Sequence, residues 1–127
     1  MSIDLRTMPA GPELDMELAK AMGREIDHEN WRRPMMVEDG DGIFPQPIPA
    51  YSTTWAGAGQ VIEEMQRRGW DYILQSLDDG GHGVRFDKWN VTQNRFTATA
   101  RAESDSAPHA ITVAAILALR SEAEHGG

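Results

Sequence analysis

The residues of this chain best suited to chemistry are Trp31, Arg32 and Arg33, with Tyr51 further along. An aromatic face beside guanidinium groups can stack on a planar ligand and pair with its negative charge, which is what holding a nucleotide-like anion requires. The competing reading is a tryptophan anchored on the core beside two solvated arginines. A second group, Arg85, Trp89, Arg95 and Arg101, falls on one side of a strand-like alternation. It is a second candidate patch unless a helix covers Trp89, and either group could equally be an oligomer contact, since Trp, Tyr and Arg are enriched where proteins meet.

Other constellations lack a partner. Asp39-Gly40-Asp41-Gly42 resembles the start of a calcium loop, but its register puts Ala50 where a bidentate glutamate is needed. His28, His82, His109 and His125 sit on four segments with no spacing that sets two ligands on one helical face, so no metal is expected. The chain has no Gly-x-Ser-x-Gly elbow and no phosphate-binding glycine loop, and its acid pairs, Glu63-Glu64 and Asp78-Asp79, are adjacent rather than opposed. Neither catalytic residues nor a cofactor is expected.

Composition narrows the setting. At 127 residues the chain makes one domain with a core of its own, and the absence of cysteine removes disulfides and thiol chemistry. Twenty acidic against twelve basic residues give a formal charge of −8, which disfavours general nucleic-acid binding. An acidic surface imitating nucleic acid is a sharper reading, weakened by the interleaved arginines and lysines. The start, Met1 to Arg6, carries no export signal. The longest apolar stretch, Ala110 to Leu119, falls far short of the roughly 20 residues a membrane span needs.

The elements that must position these residues are legible in part. Residues 1–11 contain Pro9 and Gly11 and are expected to form a flexible arm. From Pro12, the spacing of Leu14, Leu18 and Met22 predicts a first helix that stops at Gly23. Residues 24–50 form a long irregular connection, which would fold only by laying its apolar side chains over the core. Ser52 or Thr53 is expected to cap a second helix that buries Trp55, Ala58 or Gly59, Ile62 and Met65 and ends at Gly69. Gly57-Ala58-Gly59 reads as close packing against a neighbour. Trp70 to Leu77 predicts a strand apolar on both faces and covered on both sides. Asp78 to Gly83 is a hairpin turn, Val84 and Phe86 mark a second strand, and Ala98, Ala100 and Ala102 mark a third. Pro108 then opens a last helix, from about Ala107 to Glu124, that lies against the sheet. The predicted fold is α+β, α-α-β-β-β-α, in one domain over residues 12–124 with a frayed tail at 125–127.

Leu14 to Gly23, Pro49-Ala50-Tyr51-Ser52-Thr53 before a Trp-bearing helix, Gly69-Trp70, Asp78-Asp79-Gly80 and Ser106-Ala107-Pro108-His109-Ala110-Ile111 together resemble the phage ABA sandwich domain family. The resemblance covers roughly residues 12 to 123. It implies a three-stranded antiparallel sheet sandwiched by helices, in a small protein of a tailed phage or prophage, working in the host cytoplasm. It implies no activity and no catalytic residues.

The function expected on this basis is a non-enzymatic accessory or counter-defence protein that sequesters a small nucleotide-like ligand or blocks a host protein. The alternatives are a structural or assembly role through homo-oligomer contacts, and an enzyme whose site forms between subunits.

Overall fold

The computed structural model describes residues 5–27, 32–37 and 45–125, with the backbone alone at 96, 124 and 125. Among them run α1 (Pro12–Ala21), β1 (Glu25–Asp27), β2 (Met35–Val37), β3 (Gln46–Pro47), α2 (Trp55–Arg67), β4 (Trp70–Ser76), β5 (His82–Asn90), β6 (Arg95–Ser104) and α3 (Ala107–His125). β4-β5-β6 form the main antiparallel sheet, and β1-β2-β3 form a second, smaller antiparallel meander. The predicted α+β class and its order of helices and main-sheet strands hold. The small sheet is an addition within the segment read as irregular.

α3 organises the molecule. From Ala110 to Ile116 every side chain is buried, and Ala118 and Leu119 follow. A helix apolar all round has to be enclosed, and three layers enclose this one: α1 on one side, α2 on another, and β5 with β6 on a third. The expected stripe of Ile111, Ala114, Ala115, Ile116 and Leu119 is thus only part of its buried surface. Ala110, Ala114, Ala115 and Ala118 keep the helix thin enough for its neighbours to approach from several directions. Ion pairs brace the arrangement, Arg120 to Glu17 of α1 at 2.9 Å and Lys88 of β5 to Glu122.

The sheet turns one face to this core. Trp70, Val84, Phe86, Ala100 and Ala102 are buried against the helices, and each is in register with a residue of the same face, such as Phe86 between Tyr72 and Ala100. The other face, with Asp71, Ile73, Gln75, Arg85 and Arg101, is exposed. β4 is therefore not covered on both sides as its apolar run suggested. α2 and α3 occupy the same side, and Ile73 remains 47% exposed.

Local signals explain the helix ends. Pro12 sits in the first turn of α1, where no intrahelical N–H is lost. Gly23, at φ 89°, closes α1 with bonds from its own N–H to the Lys20 carbonyl and from the Arg24 N–H to the Ala19 carbonyl. α2 is capped by Thr54, whose Oγ1 accepts from the Gly57 N–H at 2.9 Å, and not by Ser52 or Thr53. Its buried face is Gly57, Ala58, Val61 and Met65, with Ile62 at the margin. At 100° per residue Trp55 lies roughly a quarter turn from that face, and it is 63% exposed rather than buried. The segment before α1 is not loose throughout. Leu5 is in the core, and the Met8 carbonyl is held by His109 Nε2 at 2.9 Å.

α2 approaches the Ala50–Tyr51 backbone so closely that a Cβ on Gly57 would stand 2.1 Å from the Ala50 carbonyl oxygen, whereas one on Gly59 would meet open space. Gly57→Ala should therefore lower stability by roughly 2–3 kcal/mol, through forced displacement of packed backbone. Gly59→Ala should raise it by about 0.5–1 kcal/mol, through helix propensity. Urea denaturation of the two variants checks both signs.

Candidate functional site

The site begins with a buried carboxylate. Asp15 lies in the first turn of α1 and is 5% exposed. Its Oδ1 accepts from the Ser52 hydroxyl at 2.6 Å and from the Ser52 N–H at 2.8 Å. Ser52 Oγ in turn accepts from the Gly11 N–H at 2.9 Å. This chain of bonds ties the start of α1 to the turn before α2, and it explains why Ser52 is not the cap: its side chain is already committed to Asp15. Burial pushes the Asp15 carboxyl above its ordinary value, opposed by the two bonds from Ser52.

Beside this pair is a cavity of about 290 Å³, lined by Gly11, Pro12, Asp15, Arg33, Pro34, Pro47, Ile48, Ala50 and Thr53. Its wall combines the N-terminus of α1, the approaches to β2, and β3 with the irregular segment and turn that lead to α2. The lining is mostly apolar, with one carboxylate, one guanidinium and one hydroxyl. Arg33 is exposed, and among the described residues it makes no ion pair. An apolar chamber with a few convergent polar groups is the usual form of a small-molecule site.

The four residues first singled out as a ligand site separate. Arg33 lines the cavity and Arg32 is exposed beside it. Trp31 lies outside the described residues, as do His28, the Asp39–Gly42 loop and Ile43 with Phe44. Tyr51 is a correction: only 4% exposed, its ring belongs to the core and cannot stack on a ligand. Tyr51 instead borders a separate space of about 180 Å³ with Met22, Arg24, Gln60, Glu63, Glu64 and Arg67. Burial raises its phenol above the usual value; Arg24 opposes this, while Asp15 and Glu64 add to it.

The second group also divides. Arg85 and Arg101 are cross-strand neighbours on the exposed face and border a space of about 280 Å³ with Ile73 and Gln75. Each pairs along its own strand, Arg85 with Asp87 at 2.9 Å and Arg101 with Glu103 at 3.0 Å. Trp89, 41% exposed, and Arg95, bonded to Gln93, lie beyond a register shift at Lys88/Trp89 toward the β5–β6 turn. At about 3.3 Å per residue this is roughly 13 Å along β5 from Arg85.

Two participants were not visible as such in the sequence. Asp15 looked like an ordinary acid of a first helical turn, and only its tertiary partner Ser52 marks it. His109 bridges Ser104 Oγ, at 2.7 Å from Nδ1, and the Met8 carbonyl. The carbonyl can only accept, so Nε2 carries a proton and donates to it. This brace fastens the segment before α1 to the start of α3. No helix among the described residues is long and apolar enough to cross a membrane.

The raised Asp15 carboxyl has a signed consequence. The folded chain binds this proton more tightly than the unfolded chain, so the associated stability is fully present below pH 3.8 and is lost as pH rises through the folded value. Asp15→Asn keeps an acceptor for Ser52 and should gain on the wild type as pH rises through that window. Asp15→Ala should lose about 1–3 kcal/mol, because the Ser52 donors are left unpaired. Urea midpoints measured against pH check both.

No protein-family model matches this chain, and neither a curated protein nor a solved structure matches it.

Proposed function

We propose that this chain is a non-catalytic binding protein that takes a small nucleotide-like ligand into the cavity between α1 and the small sheet. The observation that carries the reading is the placing of the Arg33 guanidinium and the Asp15 carboxylate on one mostly apolar wall. Arg33 supplies charge-assisted donors for a phosphate. Asp15 supplies an acceptor for ring or amino N–H groups, and Pro12, Pro34, Pro47 and Ile48 supply apolar contact for a planar base. A volume of about 290 Å³ is at the small end of the range for ligand sites, roughly 300–1,000 Å³. It suits a mononucleotide and not a longer chain. The described lining holds neither a histidine nor a second carboxylate, which favours capture over acid–base chemistry.

The resemblance to phage ABA sandwich proteins gives such capture a setting. A small phage or prophage protein in the host cytoplasm that sequesters a nucleotide signal would act as a counter-defence factor without needing a reaction.

Thermal unfolding and titration calorimetry with a panel of nucleoside monophosphates test the reading. At least one should raise the melting temperature, with about 2.7 kcal/mol of added stability at a hundredfold excess over Kd. Arg33→Ala should weaken that binding at least about tenfold, or roughly 1.4 kcal/mol, while Arg85→Ala leaves it unchanged. Affinity for a ligand that donates to Asp15 should fall as the solution is acidified and this carboxylate takes its proton. Absence of any thermal shift, or full binding by Arg33→Ala, would contradict the assignment.

A further inference from the structure

The two edges of the main sheet are built differently. Exposed edges invite pairing with another chain, and proteins blunt them with charge, proline, bulges or short strands. β6 is blunted: the register shifts near its start, Arg95 and Arg101 are exposed along it, and Arg6 Nη1 donates to the Arg101 carbonyl at 2.9 Å. β4 carries fewer of these devices, a single charge at Asp71. Its seven residues, Trp70 to Ser76, contain no lysine, arginine or proline, pair with β5 without a register shift, and leave Tyr72 38% and Ile73 47% exposed.

We propose that β4 pairs antiparallel with β4 of a second copy of this chain, about a two-fold axis at Ile73, giving a continuous six-stranded sheet. The strand is self-complementary in this register. Ile73, its midpoint, meets the partner's Ile73, Tyr72 meets the partner's Leu74, and Asp71 meets the partner's Gln75. Each pair lies on one face, because residues of like parity point to the same side of a sheet. Moving the axis one residue toward Tyr72 puts Asp71 against the partner's Ile73. Parallel in-register pairing puts it against the partner's Asp71, a like-charge contact that opposes association. The occupant is therefore another copy of the chain in one orientation. With a formal charge of −8 on each copy, the association should tighten as salt screens the repulsion.

The test is sedimentation velocity of the full chain over about 1 μM to 1 mM, joined to cysteine cross-linking. The chain has no cysteine, so Ile73→Cys introduces a single thiol, placed on the axis at cross-strand distance. The expected result is a wild-type dimer that strengthens with salt, rapid disulfide formation by Ile73→Cys, and none by Trp89→Cys on the same face. Ile73→Lys, at an exposed position, should be monomeric with an unchanged circular dichroism spectrum. A wild type monomeric throughout overturns the proposal. So does a dimer that cross-links through Trp89→Cys and not through Ile73→Cys, which would place the contact on the sheet face. The edge is remote in sequence from the cavity lining, and the outcome does not depend on ligand.

Discussion

Everything in this fold is arranged around a helix that has no wet side through most of its length. α3 runs through the middle of the protein, and the sheet, α1 and α2 each find their core by packing on it. Its alanines make this possible: small side chains leave room for neighbours in several directions, while Ile111 and Ile116 fill the gaps between them. Because burial of each large apolar side chain stabilises by about 1.5–3 kcal/mol, gathering Trp70, Phe86, Leu14, Leu18 and Met65 around one helix concentrates the driving force there. The outer face of the sheet is left to water, and β4 carries only Asp71 as a charge.

Polar groups then locate the remaining pieces. The Asp15–Ser52 pair is costly to bury and is satisfied only when the start of α1 meets the turn before α2, so it fixes that meeting in a way that apolar contact alone would not. The close approach of Gly57 to Ala50 fixes the same turn from the side of α2. The candidate cavity is a consequence of this junction: Ala50, Thr53 and Asp15 form part of its wall because the turn is held there, and Pro47 of the small sheet closes it together with Arg33 and Pro34, which lead into β2.

Much of this was legible in local sequence and some was not. Pro12, Gly23, Gly69 and Pro108 mark helix limits by backbone chemistry that does not depend on the rest of the chain. The alternation through Val84, Phe86, Ala100 and Ala102 specifies the sheet's inner face. β1, β2 and β3, at two or three residues each, are too short for any periodicity and sit among prolines. Ser52, Thr53 and Thr54 are equivalent as caps until Asp15 takes Ser52. Tyr51 and Trp55 were assigned to the wrong environments for a related reason, since the hydrophobicity of an aromatic residue does not say on which side of a turn or helix it will point. Of the candidate ligand residues, Arg33 does face a cavity, but its counterpart Asp15 comes from a different element and could be found only in three dimensions.

The central claim is that the junction of α1, the small sheet and the turn before α2 is a ligand-binding site. The most direct measurement is an amide NMR titration with the nucleoside monophosphate that stabilises the chain most. The account predicts shifts concentrated at Gly11, Asp15, Arg33, Ile48, Ala50 and Thr53, with β5 and β6 unmoved. Shifts gathered instead around Arg85, Trp89 and Arg101, or no saturable shifts at all, would contradict it.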